Sequence, residues 1–323
     1  MMNTLLKHKT KNKINITYNC SEINDTQCNI HNTSETCLYE EQNDLKDIFI
    51  NSKHVNDYKI TKTICEKNNK GTYIIKSHKT NLKYILKIRH KSHENSFEKN
   101  ICSILKLHQH KNVIQFIDFY KNNEFYYFIY EYFEGTNLLN HIKKKSLTEQ
   151  QIKHIIIQLS YAVNFLHSYD IIHCDLKLDN IIINSKNEIK IIDFDLSIIS
   201  DNENGYIANN IFGTMQYIAP ESYDLCIYSK KTDIWQIGII LYILICNEFP
   251  HHAELLVVNS YSNLCRQNLF KHIDLSIPYN IIMKNKYDES LYKLLSHMIV
   301  FDDVNRITIP EILNSEWLYN LDK

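Results

Sequence analysis

The side chains best suited to chemistry lie in one short stretch. His173-Cys174-Asp175-Leu176-Lys177-Leu178-Asp179-Asn180 is followed, after Ile181-Ile182-Ile183, by Ile189-Lys190-Ile191-Ile192-Asp193-Phe194-Asp195. A carboxylate near a histidine is more often part of a structural ion pair than of a catalytic group. Here, however, Asp175 has Lys177 two residues on, Asn180 five residues on and a second carboxylate, Asp193, 18 residues on. Such a set meets the needs of phosphoryl transfer: a carboxylate to take the proton of an attacking hydroxyl, a cation near the moving γ-phosphoryl group, and acceptors on two sides of Mg2+. Chemistry of that kind asks a protein to position groups and neutralise charge.

Periodicity predicts the elements that must hold these residues. Apolar and polar residues alternate through Ile60, Ile64, residues 73–75 and residues 84–88, a period of two that predicts strands. Residues 113–119 and 125–132 predict two more, joined by Lys121-Asn122-Asn123-Glu124, a hairpin turn by composition. Ahead of them, Ile101, Cys102, Ile104 and Leu105 have helical spacing, over about 94–107. Thr148, with Gln151 three residues on, forms a capping box that opens a long amphipathic helix through Ile152, Ile155, Ile156, Leu159, Val163 and Leu166. Further helical patterns occupy 232–246, 291–299 and 309–317. The fold class is therefore α+β, a small β-rich lobe over 55–133 with one main helix, joined to a larger helical lobe over 134–318. Residues 1–54, rich in Asn, Lys, Thr and Ser, read as a poorly ordered extension, and 319–323 as a tail.

Only five of the 323 residues are glycine, all isolated: Gly71, Gly135, Gly205, Gly213 and Gly238. That excludes a dinucleotide turn and a Walker loop, both of which need several glycines at fixed spacing so that backbone can approach phosphate.

The segment 173–180 resembles the H-R-D-L-K-x-x-N catalytic loop of the eukaryotic protein kinase family, matched at every fixed place except the arginine, which is Cys174. Tyr84-Ile85-Leu86-Lys87 stands where that family has V-A-I-K. Gly213-Thr214-Met215-Gln216-Tyr217-Ile218-Ala219-Pro220-Glu221 is similar to the end of its activation segment, and Asp233-Ile234-Trp235-Gln236-Ile237-Gly238 to its D-x-W-x-x-G helix. Asp302, Arg306 and Trp317 resemble its closing pattern, with Arg306 expected to pair with Glu221. About 58–318 is covered. Small-molecule kinases of the aminoglycoside or choline type share H-x-D-x-x-x-x-N and a sequence like Ile192-Asp193-Phe194-Asp195, but Lys177, Thr214 and the later motifs favour a protein substrate. Trp235 and the run from Tyr242 to Pro250 look closest to the calcium/calmodulin-dependent branch.

The resemblance implies a bilobal protein kinase-like fold, ATP and Mg2+ as cofactors, and a Ser or Thr acceptor on a protein substrate. It implies Asp175 as base, Lys177 on the γ-phosphate, Asn180 and Asp193 on the metal, and Lys87 on the α- and β-phosphates. Lys87 should pair with a helix glutamate, either Glu98 or Glu94. Ile64, Thr72, Ile85 and Ile182 would border the nucleotide, with Tyr130 as gatekeeper before the hinge Glu131-Tyr132-Phe133. Asp179 reads either as a recogniser of a basic substrate residue or as a solvated loop acid, and His251-His252 as surface.

Several positions depart from the family pattern. The glycine-rich loop falls on Cys65-Glu66-Lys67-Asn68-Asn69-Lys70-Gly71-Thr72, with Cys65, Lys67 and Lys70 in the three glycine places. A different loop shape and a looser nucleotide grip are expected, since a Cβ keeps backbone away from phosphate. Ile85 is bulkier than the usual alanine and should crowd the adenine. Asp195 replaces the glycine of D-F-G, at about 1–2 kcal/mol if it must take a left-handed backbone. Cys174 removes the arginine that pairs an activation-segment phosphate, so activity independent of that switch is expected. These losses leave two readings open, a divergent Ser/Thr kinase and a pseudokinase acting as a binding module.

The remaining bulk properties are exclusions. Thirty-six basic against 37 acidic residues give no overall field for nucleic acid or an anionic membrane. The longest apolar run, 237–246, is about half the length that a bilayer requires, and reads as a buried helix. Nine scattered cysteines, an odd count, suggest a reducing, intracellular setting. Three glycosylation sequons in the first 50 residues read as chance, and Cys20, Cys28, Cys37 and His31 match no zinc spacing.

Overall fold

A computed structural model of the protein describes residues 57–67, 70–93, 97–250, 273 and 275–319. The extension at 1–54, its cysteines, histidine and sequons, and also Glu94 and His251-His252, lie outside the described residues.

The first part is a five-stranded antiparallel sheet. Its strands are β1 (Tyr58–Lys67), β2 (Lys70–Ser77), β3 (Lys83–His90), β4 (Phe116–Lys121) and β5 (Phe125–Glu131), ordered β1-β2-β3-β5-β4, with helix α1 (Glu98–Leu107) between β3 and β4 in sequence. Alternation sorts the two faces. Tyr73, Ile75, Leu86, Ile88, Phe125, Tyr127 and Ile129 make an apolar cluster on one side. On the other, Phe128 and Tyr130 join Ile101, Cys102 and Leu105 of α1 in the main core. The β4–β5 turn forms where composition predicts it, because the Asn122 side chain accepts from the backbone of Glu124 at 2.9 Å and of Phe125 at 2.6 Å.

The helical part opens with β6 (Thr136–Asn137), α2 (Leu138–Lys144) and α3 (Glu149–Ser168). The capping box of α3 is present, with Thr148 and Gln151 exchanging bonds of 3.0 and 3.3 Å. Next come β7 (Ile171–Ile172), β8 (Ile181–Ile183), β9 (Ile189–Ile191), β10 (Ile198–Ile199), β11 (Tyr206–Ile207), α4 (Pro220–Leu225) and β12 (Ile227–Tyr228). They pair as β6-β8-β9, β7-β10 and β11-β12. Helix α5 (Lys230–Cys246) is apolar around nearly its whole circumference and is buried accordingly from Thr232 to Ile245. Helices α6 (Ser276–Asn285), α7 (Glu289–Met298), α8 (Ile309–Leu313) and α9 (Glu316–Tyr319) complete the described chain. The pattern over 309–317 thus resolves into two short helices. Among the described residues no helix is long and apolar enough to cross a membrane.

The two parts are tied at β9. Ile191 accepts from Ile114 at 2.9 Å and donates to Asn112 at 2.8 Å, while the buried Asn112 amide donates to Gln158 of α3 and to the Ile189 carbonyl, both at 2.8 Å. The strand that leads to Asp193 is therefore referenced to both the sheet and the long helix.

Candidate active site

The catalytic-loop segment is fixed through its backbone by two side chains of α5. Asp233, wholly buried, accepts from the amides of His173 at 3.0 Å and Cys174 at 2.9 Å, and bonds His167 Nε2 at 2.8 Å. Three residues along the helix, Gln236 accepts from the Leu176 amide at 2.8 Å and donates to the Cys174 carbonyl at 2.7 Å. This clamp holds Cys174 in the left-handed region, φ 65°, a conformation that costs a non-glycine residue about 1–3 kcal/mol. His173 Nε2 bonds the Ile192 carbonyl at 3.2 Å and Nδ1 accepts from the Asp175 amide at 3.3 Å. Those partners require a neutral ring protonated on Nε2, and burial lowers the pKa of His173 in the same sense.

Asp175 sits at the centre of a compact polar network. Its Oδ1 accepts from the Thr214 amide at 2.9 Å and hydroxyl at 2.7 Å; its Oδ2 lies 2.8 Å from Lys177 Nζ and accepts from Asn180 Nδ2 at 3.1 Å. Asn180 Nδ2 also donates to the Asp175 carbonyl at 2.9 Å, and Lys177 donates to the Thr214 hydroxyl at 2.7 Å. A carboxylate 2.7 Å from a hydroxyl that also touches a lysine has the geometry to orient an attacking alcohol and receive its proton.

Asn180 and Asp193 are brought together by the β8–β9 register. Ile181 pairs with Ile191, and the Asn180 carbonyl accepts from the Ile192 amide at 2.9 Å. Asp193 has φ 71° and lies 2.7 Å from Lys87 Nζ. Burial alone would raise its pKa, but the charge and hydrogen bond of Lys87, together with the nearby Arg89, outweigh that and hold it at about 2. Lys87 also reaches Asp195 at 3.1 Å.

Two expectations are corrected at this point. The Lys87–Glu98 ion pair is not made: Glu98, buried on α1, has Arg89 as its ion-pair partner at 3.6 Å, and Lys87 is engaged by Asp193 and Asp195. Desolvation pushes the Glu98 carboxyl up despite the nearby Arg89 and Lys87. Nor does Asp195 take a left-handed backbone; within the two motif segments 173–180 and 189–195 the positive φ values are at Cys174 and Asp193, so the conformational cost falls on other residues.

The segment in the place of the glycine-rich loop, for which a different shape is expected, is a paired hairpin. Cys65 faces Thr72, Glu66 faces Gly71 and Lys67 faces Lys70, leaving only residues 68–69 to connect β1 and β2. Gly71 serves packing there: a Cβ would fall 2.5 Å from the Tyr73 hydroxyl, and that tyrosine is fully buried. Thr72 pairs with Lys87, and Ile85 with Tyr130, across adjacent strands. Ile64 is largely exposed, whereas Ile85 and Phe133 pack against the main core. Tyr130 is buried, its hydroxyl 3.5 Å from Cys102 Sγ. At the end of β5 the Glu131 carboxylate accepts from the Gln115 amide at 2.8 Å and from Lys190 at 2.6 Å, pinning the hinge to β9. After it, Gly135 lets the chain cross β8 closely, since a Cβ would meet the Ile183 carbonyl at 2.4 Å. Ile182 is half-buried on β8. Asp179 accepts from Asn137 at 3.2 Å, and burial raises its pKa.

Cys174 lies in an apolar cluster with Ile172, Ile198 and Tyr228, against which Tyr206, Ala208 and Phe212 pack. The rings of Phe212 and Tyr228 stack at 3.9 Å, and the Tyr228 hydroxyl exchanges two 2.7 Å bonds with the Phe212 backbone. Further along, Arg306 makes the expected pair with Glu221, bidentate at 2.8 and 2.9 Å. Sequence reasoning missed Arg89, His167 and Gln236. Arg89 had a readable signal: it lies two residues past Lys87, hence on the same strand face.

A family model for the protein kinase domain matches residues 58–318. Calcium/calmodulin-dependent protein kinase type 1 of Caenorhabditis elegans is 33% identical over 232 residues, covering 71% of this chain and 63% of that relative. CBL-interacting protein kinase 11 of Oryza sativa subsp. japonica is 31% identical over 223 residues, 68% of this chain and 42% of its own length. CaM kinase-like vesicle-associated protein of Danio rerio is 31% identical over 227 residues, 68% and 50% respectively. The chain spans less than two thirds of the length of these curated relatives. A match across 58–318, on a fold that gathers Lys87, Asp175, Asn180 and Asp193 between a five-stranded sheet and a helical part, means that the chain belongs to the protein kinase family.

Proposed function

We propose that the protein transfers the γ-phosphoryl group of ATP to Ser or Thr hydroxyls of protein substrates. The observation that carries this reading is the Asp175–Lys177–Thr214–Asn180 network, in which a carboxylate, an ammonium and a hydroxyl already stand within 2.7–2.8 Å of one another. In this reading Asp175 accepts the proton of the attacking hydroxyl and Lys177 stands beside the transferred group. Thr214 holds both in place until the acceptor arrives.

The donor set fits the cofactors. Asp193, ionised down to about pH 2, and the amide oxygen of Asn180 are hard oxygen ligands flanking the paired ends of β8 and β9, suited to Mg2+. When bound, Mg2+ would neutralise the phosphate charge that develops during transfer. Lys87 would then exchange its contact with Asp193 for the α- and β-phosphates. Ile64, Thr72, Ile85, Ile182, Tyr130 and the hinge Glu131 and Phe133 would border the nucleotide. Regulation of the kind named in the relatives, by calmodulin or CBL proteins, is carried by similarity alone. All five described cysteines are free thiols, in keeping with an intracellular setting.

One observation favours a second reading, a pseudokinase that binds without turnover: Cys65, Lys67 and Lys70 put Cβ groups on the paired β1–β2 hairpin, where close backbone approach to phosphate is needed. Thermal shift with Mg2+ and ATP, followed by radiolabel transfer to a basic substrate protein, separates the two. Stabilisation together with transfer that Asp175→Asn lowers by about 100-fold or more supports the kinase. Neither stabilisation nor transfer, with Asp193→Asn indistinguishable from the parent, leaves the binding module.

A further inference from the structure

We propose that Arg89 and Asp195 form a clasp that positions Lys87, taking the place of a direct Lys87–Glu98 pair. The strand face sets it up. Leu86 and Ile88 are fully buried on one side of β3, so Lys87 and Arg89 both project from the other, toward α1 and Asp193. Arg89 is itself only 5% exposed, and a guanidinium so deeply buried requires carboxylate partners. It has two: Glu98 at 3.6 Å and, in direct contact, Asp195. The Phe128 ring covers it at 5.9 Å.

Asp195 is the hub of this arrangement, because the same carboxylate oxygen that meets Arg89 also accepts from Lys87 at 3.1 Å. The link from α1 to the phosphate lysine therefore runs Glu98–Arg89–Asp195–Lys87. Glu98 is left with a buried Oε1 that makes no hydrogen bond, as expected of a carboxylate whose lysine has been drawn elsewhere. Two cations, Lys87 and Arg89, meet three carboxylates, Asp193, Asp195 and Glu98. If Asp193 turns to a metal, Asp195 still holds Lys87 in position, and Arg89 still anchors Asp195 to α1. Asp195 carries a side chain at a position whose φ needs no glycine. The aspartate after Asp193-Phe194 and the arginine on β3 are thus two halves of one device.

The inference rests on the phosphoryl-transfer reading for its consequence, and a double-mutant cycle on the full chain separates them. Arg89→Leu, Asp195→Gly and the double variant are compared by melting temperature without nucleotide, by affinity for a fluorescent ATP analogue with Mg2+, and by KM and kcat. Each single variant is expected to weaken nucleotide affinity and raise KM for ATP by about 10-fold, the size usual for coupled charged neighbours. The double variant is expected to return to within about 3-fold of the parent, since Arg89 and Asp195 no longer compete and, with Asp193 turned to Mg2+, Lys87 can reach Glu98. Recovery of this kind is not produced by a merely structural arginine. Additive losses in both melting temperature and affinity overturn the clasp. If the parent binds no nucleotide, the transfer reading fails, while non-additive melting temperatures still uphold the clasp and additive ones reject it. Asp195→Asn, which keeps shape and removes charge, replaces the glycine variant should that one fail to fold.

Discussion

The loop around Asp175 and the five-stranded sheet around Lys87 solve the same problem, holding charged groups in place, by different means. Around Asp175 the backbone itself is gripped: Asp233 and Gln236 take up amides and a carbonyl from His173 to Leu176, and the side chains are then left free to carry chemistry. Around Lys87, among the described residues, no buried side chain grips the backbone in this way. Positions depend on ion pairs among Lys87, Arg89, Asp193, Asp195 and Glu98, and on strand pairing that continues to the end of the β1–β2 hairpin. A backbone clamp tolerates a substitution such as Cys174, because it holds that residue by its amide and carbonyl and not by its side chain. A charge network instead responds to each substitution by re-pairing.

That contrast is broken most severely by removing the clamp. Asp233→Asn exchanges one acceptor oxygen for an NH2 group facing the donors of His173, Cys174 or His167, inside a fully buried site. A loss of about 2–4 kcal/mol in urea unfolding is expected, since a buried donor is left without an acceptor. Phosphoryl transfer should fall by about 100-fold with Asp175 itself unchanged, because small misplacement of a reacting group is costly. A variant with parental stability and activity would show that α5 does not position the loop.

The difference between the regions also marks what was legible in the sequence. Helical and strand periods located most elements, and fixed spacings located Asp175, Lys177, Asn180 and Asp193, because local repeats and motif intervals are sequence properties. The pairing of Lys87 was not legible: which carboxylate wins depends on Arg89, and nothing in a β-strand pattern says that a charged residue two positions on will be buried. The left-handed backbone considered for Asp195 falls instead on Cys174 and Asp193 for a similar reason, since the groups that hold them are remote in sequence, Asp233 being 59 residues from Cys174 and Lys87 106 from Asp193. Helix bounds moved by a few residues, as when α1 began at Glu98 rather than near residue 94.

A second, smaller effect sharpens the comparison from the sheet side. Replacing Cys65, Lys67 and Lys70 together by glycine removes the Cβ groups that favour continuous strand pairing and frees backbone for phosphate contact. KM for ATP is expected to fall by about 3- to 10-fold with kcat nearly unchanged, as an added ground-state contact would do. Unchanged or weaker nucleotide binding would place the limit on grip at Ile85 rather than in the hairpin.

The smallest effect concerns the activation segment, which shares the clamp's logic but uses aromatic groups. Tyr228 stacks on Phe212 and satisfies both its amide and its carbonyl, beside a Cys174 thiol whose pKa burial pushes well up. An apolar cluster stands here in the place of an arginine, so an activation segment ordered without a phosphate is the expectation to test. Tyr228→Phe keeps the stack and removes both hydrogen bonds, so a loss of about 1–2 kcal/mol is expected, with the Phe212 backbone left to find water. Activity should drop by no more than about 3-fold, because the Asp175–Thr214 contact is made by other atoms. Phosphatase treatment of the parent protein, read in the same transfer assay, should change nothing. A strong loss on dephosphorylation would instead mean that a phosphate, not the Phe212–Tyr228 pair, orders this segment, and that the activation segment is governed by charge as the sheet is.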